Sequence, residues 1–331
     1  MKSSFLPILA IMALAAVSVS GQEKPQGTAF DKVFEDVRTA GTDEIHSMVV
    51  LKDGVKVFER YSPGQDEDTF HILWSASKTF TATAIGFAVQ DGLLSVDDKV
   101  CSFFSDDELP AERPEYLKEL AVRHLLTMSS GFTRDIMGPV EAGQIAEPAR
   151  TVLAQQQRFE PGTDFRYNSM NTYLLSAIVT KVTGMTAEKY LEKKLFKPLG
   201  IKRHVWEVSP EGYNMGGWGL HLTTRDLAKV GQFFLQRGQW KGKRLLSEAW
   251  FDEAMSVKIQ TSMMTNGVEW QQGYGYQMWQ CTVPGVFRMD GAWGQFCIII
   301  PDKNAVIACN CHTNHPDVAL KSIFDNAYNA L

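Results

Sequence analysis

Strand-like apolar runs occur at the two ends of this chain and not in its middle, and that separation constrains the fold more than any other feature. Residues 46–51 and 55–61 flank Lys52-Asp53-Gly54, which reads as a hairpin turn in which the glycine takes positive φ. Strands return only late, at 274–280, 286–289, 296–300 and 306–311, before a closing helix over 316–331. Phe30, Val33, Phe34 and Val37 recur at helical spacing and predict a helix over 29–40. From Leu93 to about Gly216 the pattern is helical, with loops marked by Pro110, Pro114, Gly138-Pro139 and Pro161-Gly162. Both terminal thirds must therefore complete one antiparallel sheet, flanked by helices, with an all-helical lobe inserted between them. That is an α/β arrangement of the α+β kind. The expected lobes are 21–90 together with 217–331 for the sheet and 91–216 for the helices, with the cleft between them as the natural site.

The 331 residues are ample for a sizeable core. Residues 1–20 differ from the rest: Lys2 is followed by an apolar run broken only by Pro7 and Ser18, then by small residues. This is the pattern of a secretory signal peptide, too short for a membrane span, so an exported, periplasmic or secreted protein is expected. The net charge of −5, without a lysine or arginine cluster, argues against nucleic acid or an anionic membrane as partner and for a small molecule. It leaves the oligomeric state open. Five cysteines are an odd number scattered through apolar segments, which is no disulfide framework. Cys309-x-Cys311-His312-x-x-His315 contains zinc-ligand types, but strand alternation puts both thiols on one face of an apolar run, and a structural reading is expected, with no metal.

Ser75-Ala76-Ser77-Lys78 places a hydroxyl and an amine three residues apart at a helix start, on one helical face. Serine needs a neighbouring base to become a nucleophile. Lysine serves as that base when burial lowers its pKa, and Ile72, Leu73, Trp74 and Phe80 provide an apolar setting. On these four residues alone the reading is a surface helix start capped by Ser75 with Lys78 solvated, and only the wider context reverses it. Ser75 falls where the first strands hand over to the helical lobe, which puts it at the expected cleft.

The element order, together with this motif, resembles the serine hydrolases related to class C β-lactamases and penicillin-binding proteins, a group that also includes esterases, D-amino-acid peptidases and nylon-oligomer (6-aminohexanoate-dimer) hydrolases. Three further blocks carry the resemblance, which runs from about residue 45 to the C-terminus. His124-Leu125-Leu126-Thr127-Met128-Ser129-Ser130-Gly131 resembles a Leu-Leu-x-His-Thr-Ser-Gly segment, and Tyr167-Asn168-Ser169 within 165–175 resembles the Tyr-x-Asn motif. Residues 217–228, from Gly217-Trp218-Gly219-Leu220 to Asp226-Leu227-Ala228, resemble a Gly-Gly-Leu-x-x-Thr-x-x-Asp-Leu-Ala block.

The resemblance implies a β-lactamase/transpeptidase-like fold, Ser75, Lys78 and Tyr167 as catalytic residues, and no metal or organic cofactor. It implies an oxyanion hole from the Ser75 and Ala292 amides, with Trp293 as the other candidate for the second donor. Ser169 stands where asparagine is common and becomes a candidate contact for Lys78 or substrate. The Lys-Thr-Gly or His-x-Gly motif is missing: residues 287–295 instead contain Arg288, Asp290 and Gly291-Ala292-Trp293-Gly294. Arg288 either replaces the missing cation or is a solvated strand arginine. His221 is either a polar substrate contact or structural. The expected activity is hydrolysis of a small ester or amide through an acyl-serine. The alternatives are a D-amino-acid peptidase, a β-lactamase, or a non-catalytic ligand-binding homologue.

Overall fold

The computed structural model describes residues 28–41 and 44–331; the expected signal peptide lies outside these residues. In chain order the strands are β1 (Glu44–Lys52), β2 (Val55–Tyr61), β3 (His71–Ile72), β4 (Val205–Trp206), β5 (Leu220–Leu222), β6 (Gln239–Trp240), β7 (Lys243–Arg244), β8 (Trp279–Gln280), β9 (Phe287–Gly291), β10 (Gln295–Ile300) and β11 (Ala305–His312). The large sheet has the order β2-β1-β11-β10-β9-β8 and is antiparallel at every pairing. Both ends of the chain thus build it, and β1 against β11 is the seam where they meet. A second, three-stranded sheet has the order β3-β5-β4, and β6 pairs with β7 in a separate two-stranded one.

The β1–β2 turn has Asp53 at φ 53° and Gly54 at φ 75°, two left-handed residues in succession, as a tight hairpin with native twist requires. Every residue of β10 is buried, because the sheet is covered on both faces. The period of two sorts its side chains: Phe296, Ile298 and Ile300 join Phe30, Val33, Val37 and Leu320 in one core, while Cys297 and Ile299 join Leu227, Val230 and Phe233 in the other. The first core is closed by the Thr28–Thr39 and Pro316–Ser322 helices, the second by the Thr224–Leu235 helix.

Two expected elements are shorter than their apolar runs. Of residues 274–280, only Trp279–Gln280 forms a strand, since Gln277 takes φ 59° and turns its side chain to the Leu125 and Leu126 carbonyls. The closing helix is regular over Pro316–Ser322 and then widens into a π-helical turn at Ile323–Tyr328.

The Ser77–Gln90 helix runs through the middle of the molecule, with twelve buried residues. A helix buried all round must satisfy its hydroxyls internally. Thr79 donates to the Gln277 carbonyl, Thr81 to the Gly216 carbonyl and Thr83 to the Thr79 carbonyl. The Ser169–Thr183 helix packs against it, capped at its start by Asn168, whose side chain accepts from the Met170 amide at 2.9 Å. It ends at Gly184 with φ 68°. These two helix starts and the β9–β10 turn converge on one cleft.

Candidate active site

Ser75 sits in a single 3-10 turn, Trp74–Ala76, that leads directly into the Ser77–Gln90 helix. Trp74 has φ 45°, the left-handed region that a bulky residue seldom adopts. That turn raises Ser75 to the helix start, where it is partly exposed while Lys78 below it is 1% exposed.

Lys78 Nζ lies 2.9 Å from Ser75 Oγ, 2.7 Å from the Gly217 carbonyl oxygen and 3.3 Å from Ser169 Oγ. Burial lowers its pKa to about 7, against the opposing pull of the Asp135 and Asp290 carboxylates. A neutral amine has two N–H donors and one lone pair. With Gly217 O and Ser169 Oγ taking the donors, the lone pair is left for the Ser75 hydroxyl proton.

Tyr167 completes the group. Its hydroxyl is hydrogen-bonded to Ser75, and its ring centroid lies 5.0 Å from Lys78 Nζ. Burial pushes the phenol pKa upward, and the same two carboxylates add to the rise, so the phenol keeps its proton at neutral pH. Its ring stacks on Trp279 with centroids 5.7 Å apart, which fixes where the hydroxyl points.

Ser169 is held by its own surroundings. It is the first residue of its helix, and its amide donates to Asp135 Oδ2 at 2.6 Å. Its hydroxyl faces Lys78 Nζ at 3.3 Å.

Ala292 follows β9 at the turn into β10. The Gly291 carbonyl accepts from the Gly294 amide at 3.2 Å; since C=O and N–H of one trans peptide point oppositely, the Ala292 N–H is turned the other way. The Ala292 carbonyl accepts from Gln295 Nε2 at 3.3 Å. Trp293, with φ 64° and 37% exposed, stacks on His312 with centroids 5.0 Å apart.

Ser75, Tyr167 and Ala292 share the wall of a cleft of about 160 Å³. Trp270, Trp279 and Asp290 line the same cleft, as do Met264 and Asn266. His221, Trp293 and Arg288 are not among its lining residues. His221 Nε2 faces Glu207 Oε1 at 3.6 Å on β5. Arg288 is 0% exposed, so it is neither a solvated strand arginine nor a group that a substrate in the cleft can touch. It shares a strand face with Asp290 but lies one pleat farther from the turn, with its guanidinium 5.0 Å from the Trp270 ring centroid and 5.9 Å from that of Trp279. Its Nε donates to Asp290 Oδ2 at 2.8 Å and its Nη1 to the Glu269 carbonyl at 3.0 Å.

Sequence reasoning missed Asp290, Trp270 and Trp279. Asp290 was detectable from its position at the end of the strand that leads into the Ala292 turn. The tryptophans come from a 3-10 turn (Val268–Trp270) and a two-residue strand, and no periodicity marks such positions. Cys309 and Cys311 are buried on one face with Sγ atoms 3.4 Å apart. Among the described residues, no group of three or more metal-ligand side chains could hold an ion.

The chain is 26% identical over 287 residues to the 6-aminohexanoate-dimer hydrolase of Paenarthrobacter ureafaciens, covering 79% of this chain and 71% of that protein. It is 30% identical over 161 residues to the lovastatin esterase of Penicillium rubens, covering 42% of this chain and 40% of that protein. A putative beta-lactamase from Bacteroides dorei superposes with a TM-score of 0.75 at 18% identity, covering 91% of this chain and 99% of that one, which shows the shared fold. The family model described as Beta-lactamase matches residues 33–330, and the chain belongs to the Beta-lactamase family of hydrolases.

Proposed function

We propose that this protein is an exported serine hydrolase that cleaves a small ester or amide through an acyl-Ser75 intermediate. The observation that carries the reading is the buried Lys78 amine, 2.9 Å from Ser75 Oγ with two other acceptors for its N–H groups.

Lys78 takes the Ser75 proton as Oγ forms its bond to the substrate carbonyl carbon. The carbonyl oxygen gains the negative charge, and the amides of Ser75 and Ala292 donate to it where that charge develops. Tyr167, still protonated, gives its proton to the departing alcohol or amine and recovers one from Lys78. The carbon–leaving-group bond breaks, and the acyl group stays on Ser75. Water then attacks the ester, losing a proton to the neutral Lys78 amine while Ser75 Oγ regains one through Tyr167. Ser169 orients Lys78 throughout. The pattern of residues 1–20 supports export, and N-terminal sequencing of the mature protein beginning near residue 21 would bear on it.

The deciding experiment is labelling with a fluorophosphonate probe. The unaltered protein is expected to label and Ser75→Ala to remain blank. Labelling that survives Ser75→Ala, or a folded parent that takes no label, would overturn the reading, the second outcome in favour of a ligand-binding homologue. Turnover of p-nitrophenyl esters against nitrocefin separates the ester reading from the β-lactam one.

A further inference from the structure

The cleft wall beside Ser75 carries an anion with no exposed cation to answer it. Asp290 is the next-to-last residue of β9, two positions before Ala292, the proposed oxyanion donor in the turn that follows. Its side chain is 11% exposed, and it lines the cleft together with Ser75 and Tyr167. The cation it does have, Arg288, is 0% exposed and shared: Arg288 faces Asp290 at 2.8 Å and Glu269 at 3.8 Å. Burial pushes the Asp290 carboxyl up, while the charges of Arg288 and, more weakly, Lys78 hold it down; above pH 7, where Lys78 is mostly neutral, one guanidinium stands between the two carboxylates and the balance at the cleft floor is negative. The charges that act on both Lys78 and Tyr167 are also carboxylates, those of Asp135 and Asp290.

The remaining wall suits a cation as well. Tyr167, Trp270 and Trp279 line the same space, and aromatic faces attract ammonium groups, most strongly where water is excluded. A carboxylate brought into this cleft meets the Asp290 charge at short range in a poorly solvated setting, where repulsion is only weakly screened. Arg288 cannot come forward to receive it, because its guanidinium is held between Asp290, the Glu269 carbonyl and the Trp270 ring.

We propose that Asp290 is the specificity-determining residue of this cleft, selecting esters or amides whose acyl chain carries an ammonium group a few bonds from the scissile carbonyl and rejecting those with an anion there. This rests on the acyl-serine reading above. Ser75 and Asp290 line one cleft of about 160 Å³, so the test case is an ammonium three carbons beyond the scissile carbonyl. An anion of the same length would sit against the carboxylate.

Three p-nitrophenyl esters of matched length test it: those of 4-(trimethylammonio)butyric acid, the neutral isostere 5,5-dimethylhexanoic acid and 4-sulfobutyric acid. At low ionic strength kcat/KM is expected to fall in that order, with at least tenfold between cation and anion. The ratio should shrink in about 1 M salt, where the screening length falls to about 3 Å. In Asp290→Asn the cation-to-anion ratio should drop to within about threefold of one. That variant leaves Arg288 short of a partner, so the unaltered protein's charge series and its salt dependence stand as an independent measurement should the variant fail to fold. Equal turnover of the three esters, a preference for the sulfonate, or an unchanged ratio in folded Asp290→Asn would overturn the proposal while leaving the acyl-serine reading intact. Absence of both ester turnover and fluorophosphonate labelling would overturn that reading itself, and the Asp290 proposal with it.

Discussion

A Cβ placed on Gly291 would lie 2.2 Å from the Leu73 carbonyl oxygen and 3.2 Å from the Ala76 amide. The end of β9 is thus pressed against the turn that carries Ser75, backbone on backbone, and only glycine permits the approach. This contact sets the distance between the two amides proposed to bind the oxyanion.

Gly291→Ala should therefore damage catalysis more than folding. The methyl has no flexible neighbour to displace, so either β9 or the Trp74–Ala76 turn must move, at a stability cost of about 1–3 kcal/mol. A shift of a few tenths of an ångström in an oxyanion donor is expected to lower kcat for a p-nitrophenyl ester by at least tenfold, with a smaller change in KM. Thermal melting and steady-state kinetics on the same preparation check both statements. An unchanged kcat would show that the Ala292 amide does not act in the reaction.

The Lys78 amine gives the pH dependence. With its pKa lowered to about 7, kcat/KM for a neutral ester should rise with pH through about 7 and then level off. The phenol of Tyr167 is pushed upward and adds no descending limb in the neutral range. A profile that continues to climb to pH 10 would mean that the amine is not the base.

The same lowered pKa has a consequence for stability. A lysine charges freely in the unfolded chain up to its ordinary value of about 10.4, but in the folded protein it resists protonation down to about 7. Between those limits the unfolded state binds more protons, so this group makes stability rise with pH across the window from 7 to about 10. Below 7 the folded state bears the full cost of burying the ammonium. Lys78→Met is thus expected to be inactive yet to melt at least as high as the parent at pH 6, with its relative advantage narrowing by pH 10. Melting curves at the two pH values test the sign.

Much of the architecture was legible in the sequence because it is written in periodicity. The 3.6-residue spacing of Phe30, Val33, Phe34 and Val37 and the two-residue sorting of Phe296, Ile298 and Ile300 against Cys297 and Ile299 are local signals that packing then uses. Ser75 and Lys78 were legible because they lie three residues apart where a 3-10 turn runs directly into a helix. Asp290 was passed over in favour of Arg288, since alternation gives both residues the same strand face and tells nothing of what roofs each one. The Trp270 and Trp279 rings that cover Arg288 arrive from a separate 3-10 turn and strand, and such a tertiary contact leaves no trace in spacing.

A buried polar chain behind the cleft yields the last prediction. Ser47 Oγ lies 3.3 Å from His71 Nε2 and 2.5 Å from Thr224 Oγ1. Thr224 donates to Asn310 Oδ1 at 2.7 Å, and Asn310 Nδ2 donates to Gln295 Oε1 at 2.8 Å. Gln295 Nε2 in turn reaches the carbonyls of Cys311 at 2.6 Å and Ala292 at 3.3 Å. The chain ties the β1–β11 seam to the turn that bears Ala292, with each amide using both its donor and its acceptor. Asn310→Leu removes the acceptor of Thr224 and the donor to Gln295 in a site where both residues are fully or nearly fully buried. Each orphaned group costs about 1–3 kcal/mol, so a fall in stability of a few kcal/mol is expected. The position of Asn310 also bears on the reaction: once its Oε1 loses that partner, Gln295 is free to turn, and its hold on the Ala292 carbonyl weakens. Asn310→Leu should accordingly lower kcat several-fold at temperatures well below its melting point, with KM little changed, whereas a purely structural role would lower the melting temperature alone.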